Sequence, residues 1–299
     1  MIQHKNIDLK YLHDFRKGEI PMGLGIDAPM DKNMRFKRGE LCIFCGHDNV
    51  GKTYYFTWYA LVLALKHDIK FCMYTGENSS GNVMRDLIQM YVGKPFKEIP
   101  SQDMEDAYNL LQSKFEFVDN SILYKPKDLF KIFKETDADA CLIDPFTGLD
   151  RKMTFEGNYE FLNESRQFCN STKKTLYISS HPNSESGRSG NLYPEKHDWA
   201  GHLKSPLKAH IEGGKSFLNR ADLVFMVHRL VAHEDMKTVT MVSVEKIKDT
   251  ATGGACTMLD EPMMFEFNYG MGFKQGFVDP LEKLRYTNLQ TKELNDFLF

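Results

Sequence analysis

No apolar run in this 299-residue sequence approaches the roughly 20 residues of a membrane-spanning helix. The opening Met1-Ile2-Gln3-His4-Lys5 has no apolar stretch of the kind a secretory leader needs. A surplus of positive charge is absent too. With a formal net charge of −3, no overall basic field attracts nucleic acid, so any such site must be a local patch. The cysteines show no paired pattern. All six are scattered, mostly in apolar strands, which points to reduced thiols and a cytosolic setting (a bacterial host's cytoplasm, if the chain is of phage origin). Cys42-Ile43-Phe44-Cys45 is formally C-x-x-C, but on a strand positions i and i+3 face opposite sides. No second C-x-x-C follows, so these read as core cysteines rather than metal ligands. His181, His197, His202 and His210 crowd one stretch without any standard zinc spacing. Repeats and low-complexity tracts are missing. What remains, 42% hydrophobic and 26% charged, is an ordinary globular composition long enough for one large α/β domain or two small ones.

Against these absences stands one complete motif. Gly46-His47-Asp48-Asn49-Val50-Gly51-Lys52-Thr53 is G-x-x-x-x-G-K-[ST]. The apolar strand Glu40–Cys45 precedes it and a helical stretch, Tyr54–Lys66, follows, which is the context a phosphate loop requires. Backbone N–H groups and a helix N-terminus would cradle ATP phosphates there. Lys52 would reach the β- and γ-phosphates, and the Thr53 hydroxyl would hold Mg²⁺. A glycine turn that binds nothing explains neither the Lys-Thr pair nor the glycines at 46 and 51.

The chain then alternates strand and helix as far as Tyr177, the signature of a parallel sheet with covered faces. Strands are expected at 70–74, 115–118, 140–143 and 175–179, with helices between them. Residues 181–216 break the pattern with seven glycines and prolines and scattered basic side chains, and a loop of that length is usually functional. Strands at 221–227 and 238–245 follow, and 249–266 reads as a turn and a strand pair forming an antiparallel C-terminal edge. Ile7, Leu9, Leu12 and Phe15 mark a short amphipathic helix ended by Gly18 and Pro21, able to pack on its own domain or on a neighbouring subunit. The expected division is 1–22 linker or docking helix, 23–278 ATPase domain and 279–299 a mixed-charge tail.

Three polar residues at strand ends complete a nucleotidase. Asp144 closes the apolar strand Cys141-Leu142-Ile143, where phosphate-loop ATPases hold Mg²⁺ or its water. On its own it would read as a cap on the turn before Pro145. Glu77 follows the neighbouring strand, where a carboxylate can polarise the attacking water; the alternative is a helix N-terminal Glu favoured by the dipole. His181 ends the strand at 175–179 and could touch the γ-phosphate, or be a solvent-facing loop histidine.

Taken in order, these segments resemble the RecA-like ATPase domain of DnaB-type replicative ring helicases, phage primase-helicases and the mitochondrial helicase twinkle most of all. The resemblance spans roughly Gly23 to Gly272. It rests on Phe36-Lys37-Arg38-Gly39-Glu40-Leu41 leading into the phosphate loop, Tyr74-Thr75-Gly76-Glu77-Asn78, Leu142-Ile143-Asp144-Pro145-Phe146, and Ile178-Ser179-Ser180-His181-Pro182. It implies an α/β fold with a RecA-like P-loop NTPase core, a mostly parallel twisted sheet flanked by helices and an antiparallel C-terminal edge. It further implies Glu77 as the catalytic glutamate, Asp144 at the Walker B position, His181 as sensor and Arg229 near the nucleotide. An aromatic residue at Phe267 would stack on the base. Glu245-Lys246-Ile247-Lys248 occupies the place of a basic finger acting on a neighbouring subunit's nucleotide. Lys248 stands where those helicases carry Arg, and it cannot form a bidentate fork. RecA-type recombinases use a Lys-x-Lys pair nearby.

One domain is then half an active site, so a homo-oligomer is implied, a hexameric ring in the helicases. Hydrolysis at its interfaces would move loops 181–216 along single-stranded DNA, with Arg188, Lys196, Lys204, Lys208 and Lys215 as candidate phosphate contacts. Neither a zinc-binding primase module, a toprim-like domain nor a DnaB-type N-terminal helical domain precedes residue 20, so a separate chain would supply priming. A RecA-type recombinase or recombination mediator, and a non-enzymatic nucleotide switch, are the two rival functions. Glu77 argues against the switch.

Overall fold

A computed structural model describes residues 5–18 and 22–286. Helix α1 (Lys5–Arg16) comes first. The core then runs β1 (Leu41–Cys45), α2 (Lys52–His67), β2 (Phe71–Thr75), α3 (Ser80–Val92), α4 (Ser101–Leu111), β3 (Phe115–Phe117), α5 (Pro126–Glu135), β4 (Ala140–Asp144), α6 (Phe155–Thr172) and β5 (Thr175–Ser180). It ends with α7 (Lys215–Arg220), β6 (Leu223–Arg229), β7 (Val239–Ile247), α8 (Thr250–Gly253), β8 (Met263–Phe267) and β9 (Phe273–Lys274).

Among the described residues the nine strands form one sheet, in the order β3-β2-β4-β5-β1-β6-β7-β8-β9. The first six in that order are parallel and the last three antiparallel, as the alternating pattern implied. The central strands read as unbroken apolar runs because helices cover both faces. On β1, Cys42 and Phe44 face the core under α2, α3 and α4, while Leu41, Ile43 and Cys45 face the core under α5, α6 and α7. Cys42 and Cys45 thus lie on opposite faces, as the strand period requires. Five of the six thiols are buried; Cys256 is exposed. Phe44 stacks between Phe56 and Phe225, with ring centroids at 5.3 and 5.4 Å, which locks α2 over the middle of the sheet.

The expected strand pair within 249–266 is displaced. That stretch holds the short α8 and a single strand, and the pair is instead β8 with β9. The turn between them needs left-handed backbone at Tyr269, Gly270 and Gly272. A Cβ on Gly272 would lie 2.7 Å from the Trp58 ring. Residues 279–286, expected to belong to a tail, pack on the core. Leu281 is fully buried, the Arg285 guanidinium meets Asp279 at 2.9 Å, and Tyr286 donates its hydroxyl to Asp106 at 3.0 Å. The expected helix near the N-terminus is α1; its end at Pro21 lies outside the described residues. Ile7, Leu9, Leu12 and Phe15 are all exposed, so α1 does not bury them on its own domain. Among the described residues no helix is long and apolar enough to cross a membrane.

Candidate active site

All strand-end candidates gather where ligands bind in open α/β sheets, outside the carboxyl ends of the parallel strands. The phosphate loop leaves β1 and returns into α2. Gly46 has no room for a side chain, since a Cβ would lie 2.1 Å from the Val227 carbonyl. Gly51 sits at φ 86° and offers α2 no side-chain cap, which leaves the N–H groups of the first turn directed at the loop. Lys52 is buried and donates to the carbonyls of Gly46 (2.8 Å) and His47 (3.0 Å). Burial pushes its pKa down, against the pull of Cys45, Asp144, Asp48 and Glu77.

Thr53 Oγ1 donates to Asp144 Oδ2 at 2.5 Å. A hydroxyl and a carboxylate so close are the hard oxygen donors that suit Mg²⁺, which needs only one or two protein ligands beside phosphate oxygens. Glu77 lies in the turn after β2. Thr75 Oγ1 and Asn120 Nδ2 both donate to the Asn78 carbonyl and shape that turn. Ser79 caps α3, so Glu77 precedes the helix rather than riding its first turn. The alternative of a dipole-stabilised helical Glu therefore does not apply. His181, after β5, lies between two carboxylates: Nδ1 is 2.9 Å from Asp48 and Nε2 is 3.9 Å from Glu77. Lys52, Thr53, Glu77, Asp144 and His181 line one cavity of about 930 Å³.

Several expected residues stand elsewhere. Arg229 donates to the Asn49 carbonyl at 2.7 Å and so braces the phosphate loop from outside the cavity. Phe267 packs edge-on against Tyr54, at 5.6 Å, and against Phe273; Tyr54 lines the cavity and Phe267 does not. Lys246 and Lys248 lie at the opposite end of the strands. Leu223 pairs with both Cys42 and Ile247, which sets Lys248 four residues, about 13 Å, below the end of β1. There Lys246 donates to the Leu218 carbonyl, and Lys248 lies 3.5 Å from the buried Asp222.

Segment 181–216 contains only short 3-10 turns, held by bridges between Pro182 and Ile211 and between Leu192 and Leu203. Its basic candidates do not form one patch of free charge. Arg188 pairs with Glu185, Lys208 Nζ donates to the Glu245 carbonyl, and Lys204 stands over the Tyr193 ring. Lys196 and Lys215 are exposed. The four histidines are spread as well. His197 packs on Tyr193, His202 on His233, and His210 accepts from the Leu207 N–H.

Two residues were not evident from the sequence. Glu212 lines the cavity because its N–H donates to the His181 carbonyl, a contact across 31 positions that no local pattern announces. His228 sits behind the loop, edge-on to His47 at 5.8 Å, and burial lowers its pKa to about 4.

Neither a protein-family model nor a curated protein matches the sequence. Solved structures do resemble this fold. One, an ATPase domain solved by itself, superposes with a TM-score of 0.68 at 12% identity, covering 91% of this chain and 99% of that one. A DnaB-like replicative helicase, studied for its interactions with primase, superposes with a TM-score of 0.69 at 11% identity, covering 91% of this chain and 67% of that one. The chain therefore has the RecA-like fold of DnaB-type ATPase domains.

Proposed function

We propose that this chain is an ATP-dependent DNA helicase motor of the DnaB type, acting in replication and hydrolysing ATP between copies of itself. One observation carries this reading. The cavity gathers every group that binds and hydrolyses a triphosphate, yet the Lys246–Lys248 pair sits a strand's length away at the opposite end of the sheet. A basic finger so placed serves a neighbour.

In this reading the phosphate loop amides and Lys52 bind the triphosphate. A phosphate oxygen is a charged and therefore stronger acceptor for the Lys52 amine than the Gly46 and His47 carbonyls. Mg²⁺, held by Thr53 and Asp144, would neutralise charge on the β- and γ-oxygens. Glu77 orients the attacking water and takes its proton. His181, already beside Asp48 and Glu77, senses the γ-phosphate. Lys248 of an adjacent copy adds positive charge as the bond to the leaving phosphate breaks. Arg188, Lys196, Lys204, Lys208 and Lys215 contribute phosphate contacts to single-stranded DNA. The exposed face of α1 docks on a neighbouring copy, and priming comes from a separate chain.

The test is ATP hydrolysis with and without single-stranded DNA, on wild type and Lys248→Ala, with mass measured in the same buffer. Stimulation by DNA, an oligomeric mass and lost turnover in the variant are expected. A monomer with DNA-independent turnover and an indifferent variant would overturn the reading. Because Lys246-Ile247-Lys248 also suits a recombinase, a forked substrate then separates unwinding from strand pairing.

A further inference from the structure

The excursion between β5 and α7 carries more than basic side chains. Residues 191–204 form a small hairpin: Leu192 bridges Leu203, the Tyr193 N–H donates to the His202 carbonyl (2.8 Å), and the Lys204 N–H donates to that of Asn191 (2.9 Å). Its turn gathers three rings. Tyr193 and His197 are 4.4 Å apart, Tyr193 and Trp199 5.2 Å, and His197 and Trp199 5.1 Å. His197 is exposed and the other two partly so, while Lys204 Nζ stands 5.9 Å over Tyr193. Charge on the hairpin cancels, with Glu195 and Asp198 against Lys196 and Lys204. What it offers a partner is ring surface rather than long-range attraction.

Both ends of this hairpin are tied to the phosphate loop. On the near side, His47 Nε2 lies 3.2 Å from Ser186 Oγ, and since that hydroxyl donates to the Asn183 carbonyl, His47 is the donor. On the far side, His228 Nε2 donates to the Leu203 carbonyl at 2.9 Å, and its ring packs against His47. The rings therefore sit on an element that the triphosphate site can move.

We infer that the 191–204 hairpin is a base-stacking contact for single-stranded DNA, with Trp199 meeting an unpaired base and Tyr193 and His197 backing it. Any base offers a π-face, so the contact is indifferent to sequence and suits a strand that must slide. The inference rests on the proposed function and adds to it a mode of contact, stacking, beside the phosphate contacts of the lysines.

The chain has two tryptophans, and Trp58 is fully buried in the core, so DNA-dependent tryptophan fluorescence reports Trp199. The full-length protein is titrated with oligothymidylate and with an abasic strand of equal length, and binding is followed independently by anisotropy of a labelled strand. Quenching by oligothymidylate but not by the abasic strand is expected. Trp199→Ala should weaken oligothymidylate binding about tenfold, as loss of one stacked base does. The salt dependence and DNA-free ATP turnover should be unchanged, and Trp199→Phe should restore most of the affinity. Binding by anisotropy with unmoved fluorescence and an indifferent Trp199→Ala would overturn the stacking contact and leave the motor reading standing. Fluorescence that follows protein concentration rather than DNA would assign the rings to contact between copies instead. Absence of any strand binding would overturn both readings.

Discussion

Glu77 takes its place from the turn around it. Thr75, Asn120 and Ser79 bind the backbone on either side, so the carboxylate projects from a fixed turn ahead of α3 into the cavity. Glu77→Gln keeps that shape and removes only the base. ATP binding should survive and turnover should fall at least about 100-fold, measured as equilibrium nucleotide binding beside steady-state hydrolysis. Gly46→Ala should do the reverse, abolishing binding because its Cβ meets the Val227 carbonyl. His228 makes a prediction about pH. It is held neutral by burial, with its pKa lowered from 6.5 to about 4. Between those values the unfolded chain binds the proton and the folded chain does not. Stability should therefore fall as pH drops from 6.5 towards 4, by up to about 3 kcal/mol, and the decline should be shallower in His228→Gln. Thermal unfolding at a series of pH values checks it.

Strands β6 and β7 keep the basic pair away from its own nucleotide. Asp222, nearly fully buried, accepts the Leu41 N–H at 2.9 Å, pairs with Arg166 and faces Lys248, so it pins the starts of β1 and β6 together. Asp222→Ala strands the Arg166 charge beside an unpaired N–H. It should destabilise the fold by about 3 kcal/mol, read from denaturant midpoints. At this scale the sequence was most legible where chemistry is local. The phosphate loop, the strand-end Asp144 and Glu77, and the parallel core follow from short patterns: apolar strands of about five residues punctuated by polar turns. The displaced β8–β9 pair was not legible, because its turn uses Gly270 and Gly272 after the non-glycine Tyr269, and the strand it leads to is only two residues long. The packing of residues 279–286 was hidden for another reason. Leu281 and Tyr286 find partners more than 100 residues away, and mixed charge along the segment reads as solvated. Glu212 and His228 reach the site through tertiary contacts alone.

Taken whole, the molecule has an ATP cavity at one end of its strands and a basic pair at the other, and an N-terminal helix whose Ile7, Leu9, Leu12 and Phe15 are exposed. Each feature is incomplete within one chain, and a second copy completes all of them. Removing residues 1–18 should lower the oligomeric mass seen by light scattering; an unchanged assembly would remove α1 from the interface. The shared site is tested most directly by mixing Glu77→Gln with Lys248→Ala. Each variant alone should be nearly inactive. In mixed assemblies some interfaces join the intact Glu77 of one copy to the intact Lys248 of the other, so hydrolysis should reappear on mixing. If the mixture stays as inactive as its parts while the two variants co-assemble, the site is not shared between subunits and the account is wrong.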